Sequence, residues 1–290
     1  MAAGDALGAT VAFEPPGSFE PVTDMVGDGV FQLEPGQWTD DTALALCLAE
    51  SLVQTGAFDA VEQLRCYARW WRGGHLSATG QCFDIGGQTL EALEQFERTG
   101  EPYPGSSDPA HAGAGSLARL APVPLRYAAK PKLAISRAGE SSRTTHGAAT
   151  CVDACRYLGA LIVGAVEGRP KEELLDPVFE LRPDDLVPQV AAVADGSFAR
   201  KEPPEIRGRA YVVDTLEAAL WAFARSDSYA DGALDAVNLG EDADTTAAVH
   251  GELSGAYYGE DGIPPAWRER LALRETIEEL ADWLYRAAGI

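Results

Sequence analysis

The sequence predicts an all-α fold, a single multi-helix domain over residues 1–290, on three observations. Apolar residues recur at helical spacing in one segment after another. Strand signals are nearly absent, since few β-branched runs alternate and no Asn-Gly hairpin occurs. Finally, 46% hydrophobic and 23% charged residues suffice for a core, and no Ser/Gly or charge-run linker divides the chain.

Residues 39–54 are apolar nearly all round, as a buried central helix requires. Residues 59–72 form a second helix ending in Trp70 and Trp71, and 86–98 a third with Leu90, Leu93 and Phe96 on one face. Residues 144–166 and 212–225 continue the pattern, and Leu273, Ile277, Leu280 and Leu284 mark an amphipathic outer helix. Between these lie loops at 14–38, 99–116 and 167–209, rich in Gly, Pro and acids. Loops of that length in a compact domain tend to carry function.

The formal net charge is −22, from 45 acids against 23 bases. That balance excludes a nucleic-acid backbone or an anionic membrane as the main partner, so an anionic ligand would need locally supplied positive charge. Five scattered cysteines, Cys47, Cys66, Cys82, Cys151 and Cys155, fit neither a zinc knuckle nor a disulfide framework and read as reduced core residues of a cytoplasmic protein. No 18-residue apolar run and no basic-plus-apolar leader is evident, so neither a membrane span nor a signal peptide is expected. A monomer is the default.

Two stretches carry the chemistry. GQWTDDT at 36–42 sets Asp40 and Asp41 between Thr39 and Thr42, directly before an apolar helix. NLGEDADTTAA at 238–248 repeats the grammar two hundred residues later, with Asp242, Asp244 and Thr245. One acid at a helix start is a cap favoured by free N–H groups and the macrodipole. A second adjacent acid is repelled by the first, so two such clusters in one pocket require protons or cations. The donors are carboxylates and hydroxyls without His or Cys, which selects magnesium, manganese or calcium, and four carboxylates suit two ions rather than one.

With these motifs the sequence resembles the ADP-ribosylglycohydrolase family, in particular bacterial members similar to dinitrogenase reductase-activating glycohydrolase. The resemblance runs through GDALGATVAFE (4–14), GQWTDDT (36–42), FDIGGQT (83–89), AGAGSLARLAPVPL (112–125), SRTTHG (142–147) and NLGEDADTTAA (238–248), in family order. It implies an all-α fold around a cleft with two divalent ions, Mg2+ or Mn2+, held by Thr39, Asp40, Asp41, Asp242, Asp244 and Thr245. Asp84, Glu14 and Asp41 are the implied catalytic residues, Glu14 on a mobile loop and Asp84 near the scissile sugar. The loop Gly113, Ala114, Gly115 and Ser116 would take the ADP-ribose phosphates on backbone N–H groups, with His146 against the same ligand.

The implied reaction is hydrolysis of the glycosidic bond between ADP-ribose and an acceptor, with ADP-ribosylated arginine on protein expected first. A serine, base or ester linkage, a small ADP-ribose conjugate, and a catalytically weakened ADP-ribose-binding module are the alternatives. A calcium-braced structural protein is a further class, and magnesium-dependent release of ADP-ribose would exclude it. Ala114 stands where relatives carry Asn, Ala210 where they carry Gly, Asp214 for a histidine and His250 for a tyrosine. The chain starts inside what is usually the first helix, so a preceding turn is expected.

Overall fold

The computed structural model describes residues 1–289, so the expected domain end at Ile290 falls outside the described residues. Helix α1 (Ala2–Gly8) runs into a 3-10 turn at Ala9–Val11 and then a long loop. That loop leads to α2 (Asp40–Thr55), α3 (Ala60–Gly73) and α4 (Gly87–Thr99). Next come the short α5 (Pro122–Arg126), then α6 (Pro131–Arg143) and α7 (Ala149–Val166). The second half holds α8 (Lys171–Leu174), α9 (Pro188–Ala194), α10 (Val212–Arg225), α11 (Tyr229–Val237), α12 (Ala243–Tyr258), α13 (Pro265–Arg270) and α14 (Arg274–Ala288). Strand pairing among the described residues is limited to isolated bridges, such as Gly113 with Tyr211.

The helix boundaries follow local chemistry. Asp59 caps α3, its carboxylate accepting from Val61 and Glu62 N–H at 2.9 and 3.0 Å. Helices α2, α3 and α4 stop at Gly56, Gly74 and Gly100, each with φ near +70°, where a side chain would be strained. Helix α7 is the apolar centre, buried over most of its length. It also corrects one expectation: Ala149–Val166 is long and apolar enough, at mean hydropathy 1.5, to cross a membrane by length and composition. Its burial by the helices around it is that of a core helix.

Two other expectations change. The helix expected over 144–166 begins only at Ala149, because residues 144–148 form a turn between α6 and α7. There the Ser142 hydroxyl donates to the His146 carbonyl (2.8 Å), competing with the helix ladder. At Gly147 an added Cβ would lie 2.5 Å from the Gly105 carbonyl. The expected loop at 167–209 contains α8, α9 and a 3-10 turn at Ser197–Arg200, pieces too short for periodicity to reveal.

The contact that organises the site is between the first helix and α12. A Cβ on Gly4 would fall 2.0 Å from the Ala247 carbonyl oxygen, and one on Gly8 2.4 Å from that of Ala243. Two glycines one turn apart thus let α1 lie backbone-to-backbone on α12. Between them, Asp5 faces the start of α2.

Candidate active site

Asp5 is fully buried and explains why threonines flank the Asp40–Asp41 pair. Its Oδ1 accepts from the Thr39 N–H (2.9 Å) and hydroxyl (3.0 Å), and its Oδ2 from the Thr42 N–H (3.0 Å) and hydroxyl (2.6 Å). The N-terminus of α2 is therefore capped by a carboxylate from another helix, since Thr39 makes no side-chain cap of its own. Asp40 and Asp41 are left free to face elsewhere. They open into a cleft of about 270 Å³ together with Asp84, Asp242 and Thr245. Ends of the chain two hundred residues apart in sequence meet here, with α1 as the wedge between α2 and α12.

The cleft wall is completed by Phe13, the run Ile85 to Thr89, the loop Gly113 to Gly115, His146 and Ala210. Of the residues expected at the site, Asp40, Asp41, Asp84, Asp242, Thr245, Gly113, Ala114, Gly115 and His146 line it. Thr39 and Asp244 sit behind the wall, both buried. The Ser116 hydroxyl points inward to Ser142 (2.9 Å). Glu14 is exposed, its carboxylate accepting from the Ser18 hydroxyl at 3.2 Å. Its backbone is nevertheless tied to the site: the Glu241 N–H donates to the Glu14 carbonyl (2.7 Å), and the Phe13 N–H to the Glu241 carbonyl (2.6 Å).

So many carboxylates in a small volume hold protons tightly. Burial raises the Asp40 carboxyl well above the usual range, followed by the charges of Asp84 and Asp244. Asp41 is raised by burial and by Asp40, and Asp244 by burial and Asp242. Burial, then Asp242 and Asp5, lifts Asp84 to about 7, and burial lifts Asp242 to about 6 against the Thr245 hydroxyl. Two buried oxygens, Asp41 Oδ2 and Asp244 Oδ1, have no hydrogen-bond partner although their residues are only 3% and 2% exposed. Orphaned acceptors among mutually repelling acids are what a hard cation satisfies, so the donor set fits Mg2+ or Mn2+. No three acid, His or Cys side chains among the described residues are already grouped around one point as a bound ion would draw them.

Opposite the acids, the loop expected to cradle phosphates on its backbone N–H groups has the first two of them already engaged. The Gly113 N–H is used by Gln88 Oε1 (3.0 Å) and the Ala114 N–H by the Ala210 carbonyl (3.0 Å), so the two alanines that depart from the family pattern are joined through their backbones. The buried Arg119 supplies the local positive charge: it donates to the Gly115 carbonyl (3.1 Å) and the Thr145 hydroxyl (2.6 Å). The Thr145 hydroxyl in turn meets His146 Nδ1 at 2.7 Å. Burial, then Arg119, holds the His146 imidazole down at about 3, hence neutral. With Nδ1 facing a hydroxyl whose oxygen already accepts from Arg119, the favoured tautomer carries its proton on Nε2, beside Gly113. Asp214 lies near Arg209 (3.8 Å). His250 is a core histidine bonded to Ser254 (2.8 Å) and does not line the cleft.

Asp5, Phe13, Gln88 and Arg119 stand in the quoted motifs but were not expected at the site. Asp5 had a signal: an acid between two glycines at helical spacing in GDALG is flanked for close packing. Arg119 lies in the quoted AGAGSLAR stretch, but nothing in one chain marks it as buried.

This fold and cleft define a glycosidase of the ADP-ribosylglycohydrolase family, and the chain matches that family over residues 1–289. It belongs to the family and is a hydrolase of the ADP-ribose glycosidic linkage. Among its relatives, ADP-ribosylarginine hydrolase Tri1 of Pseudomonas putida (strain GB-1) is 43% identical over 289 residues, 99% of this chain and 76% of the relative. ADP-ribosyl-[dinitrogen reductase] glycohydrolase of Rhodospirillum rubrum is 30% identical, covering 100% of this chain and 94% of the relative. A solved structure described as "ADP-ribosylglycohydrolase-related protein complex" superposes with a TM-score of 0.88 at 47% identity, over 99% of this chain and 94% of that one.

Proposed function

We propose that this protein removes ADP-ribose from arginine side chains of modified proteins, with two divalent cations, Mg2+ or Mn2+, held by Thr39, Asp40, Asp41, Asp242, Asp244 and Thr245. The observation that carries this is the meeting of the two acid motifs in one cleft with Asp41 Oδ2 and Asp244 Oδ1 unpartnered. The similarity to proteins named ADP-ribosylarginine hydrolase supports the acceptor. Bound there, such cations supply Lewis acidity toward sugar hydroxyls and raise the acidity of a water.

The chain's own residues do the rest. Neutral His146 offers its Nε2–H to the ADP-ribose phosphates beside the Gly113–Ser116 loop, and Arg119 fixes that loop from behind through the Gly115 carbonyl. Asp84 lines the cleft beside Asp40 and Asp242, placed to take a proton from the attacking water or to stabilise the oxocarbenium-like sugar. Glu14 is the second candidate for that work, on the loop that follows Phe13. The whole chain acts as one domain, since the site draws on residues from Asp5 to Thr245. Its five free cysteines suit a reducing, cytoplasmic setting.

The test is incubation with arginine-, serine- and ester-linked ADP-ribose, with and without Mg2+ or Mn2+, scoring free ADP-ribose. Cation-dependent release from the arginine linkage is expected. Release undiminished by chelator, or confined to the serine or ester linkage, would overturn the reading.

A further inference from the structure

Three phenylalanines from three separate segments form a row that reaches the acidic cleft at Phe13. Phe13 and Phe31 meet edge to face with centroids 6.0 Å apart, and Phe31 and Phe83 are tilted at 5.4 Å. Phe13 is on the cleft wall yet 58% exposed, and Phe83 immediately precedes Asp84. A large apolar ring held out to solvent is unfavourable unless something covers it.

The backbone beneath the row is also strained toward this arrangement. Phe13 has φ +66° and Asp84 φ +55°, and Gln32, next to Phe31, has φ +53°. A left-handed conformation at a phenylalanine is uncommon and persists only where its surroundings impose it. Here the surroundings are the pair of backbone hydrogen bonds from residues 13 and 14 to Glu241, the neighbour of Asp242. The ring is thereby fixed in place beside the carboxylates.

We infer that the Phe13–Phe31–Phe83 row is the acceptor subsite, where the planar guanidinium of an ADP-ribosylated arginine stacks on the exposed Phe13 ring while its ribose faces the acids. This rests on the arginine reading above and deepens it. A delocalised, weakly hydrated cation gains from a π face in a way that a serine hydroxyl or an ester does not. The negative potential of the cleft favours the same ligand. The row is thus a specificity device: it recognises the leaving group, whereas His146 and the Gly113–Ser116 loop recognise the ADP-ribose part.

The discriminating experiment compares Phe13→Leu, which keeps apolar bulk, with Phe13→Tyr, which keeps the π face. In Phe13→Leu the KM for ADP-ribosylarginine should rise roughly fivefold more than the Ki for free ADP-ribose, the loss expected for one exposed cation–π contact. Phe13→Tyr should restore the wild-type ratio. Phe31→Leu, which removes the ring's edge-on support, should fall between them. Parallel changes in KM and Ki, or Leu and Tyr variants that behave alike, would overturn the subsite. A wild-type protein that binds free ADP-ribose but releases none from the arginine linkage would instead overturn the activity beneath it.

Discussion

The acids of the cleft differ in what their removal should do. Asp41→Asn and Asp242→Asn each remove a carboxylate of the proposed cation site and leave neighbouring carboxylates to repel one another, so turnover should fall at least ~100-fold with Mg2+ affinity, while far-UV circular dichroism stays helical. Asp84→Asn preserves shape and tolerates the left-handed backbone at φ +55°, so its effect reads the carboxyl alone. A loss of roughly 10²–10⁴ in kcat, with Glu14→Gln much milder, would assign the proton transfer to Asp84; the reverse order would assign it to Glu14. Thr145→Val cuts the link from Arg119 to His146, and the nitrogen-15 shifts of the imidazole should report loss of a single Nε2–H tautomer together with weaker ADP-ribose binding. An unchanged tautomer would show that Thr145 is only packing. The acid pairs were legible in the sequence because each motif is contiguous and the grammar occurs twice, whereas His146 was expected only through the family resemblance. Phe13, Phe31 and Phe83 were not legible, since three lone aromatics in three loops give no periodic signal and meet only through the fold.

At the scale of elements, the N-terminal helix carries more than its length indicates. Its glycines admit α12 at backbone distance and its one acid satisfies four donors of α2. Gly8→Ala puts a methyl 2.4 Å from the Ala243 carbonyl and the Asp244 Cα, and backbone cannot yield as a flexible side chain would. The expected cost is about 1–3 kcal/mol or more of stability, seen as a lower melting temperature and reduced Mg2+ affinity, since Asp244 moves with its helix. Gly56→Ala, where an added Cβ meets nothing, is the control for backbone strain alone. Helices of thirteen residues or more with long apolar faces, α2, α3, α4, α10 and α14, were readable from spacing. By contrast α1, α8, α9 and α11 have nine residues or fewer, too few for periodicity, and are held by tertiary packing. The 144–148 turn was hidden because its residues continue a helical pattern that side-chain hydrogen bonds interrupt.

Over the whole molecule, the balance of charge couples stability to cations and pH. In chelated protein the Asp84 and Asp242 carboxyls titrate near 7 and 6, above their ordinary value of 3.8. The folded state therefore binds more protons than the unfolded one between about pH 4 and 7, and these groups cost stability as pH rises through that window. Buried neutral His146 and His250, both held near 3, work in the opposite sense below 6.5, so the informative quantity is the increment given by Mg2+. That increment in melting temperature should grow from pH 5 to pH 8 as protons cease to compete for the carboxylates; a flat increment would contradict binding at these acids. The seating of the first helix on α12 has one more consequence, which concerns how the chain folds rather than its resting state. Helix α1 ends at Gly8 and α12 begins at Ala243, so their contact closes a loop of most of the described chain. Contacts of such sequence separation carry a large closure entropy and form late. The cleft is therefore closed by one of the last contacts the folding chain makes.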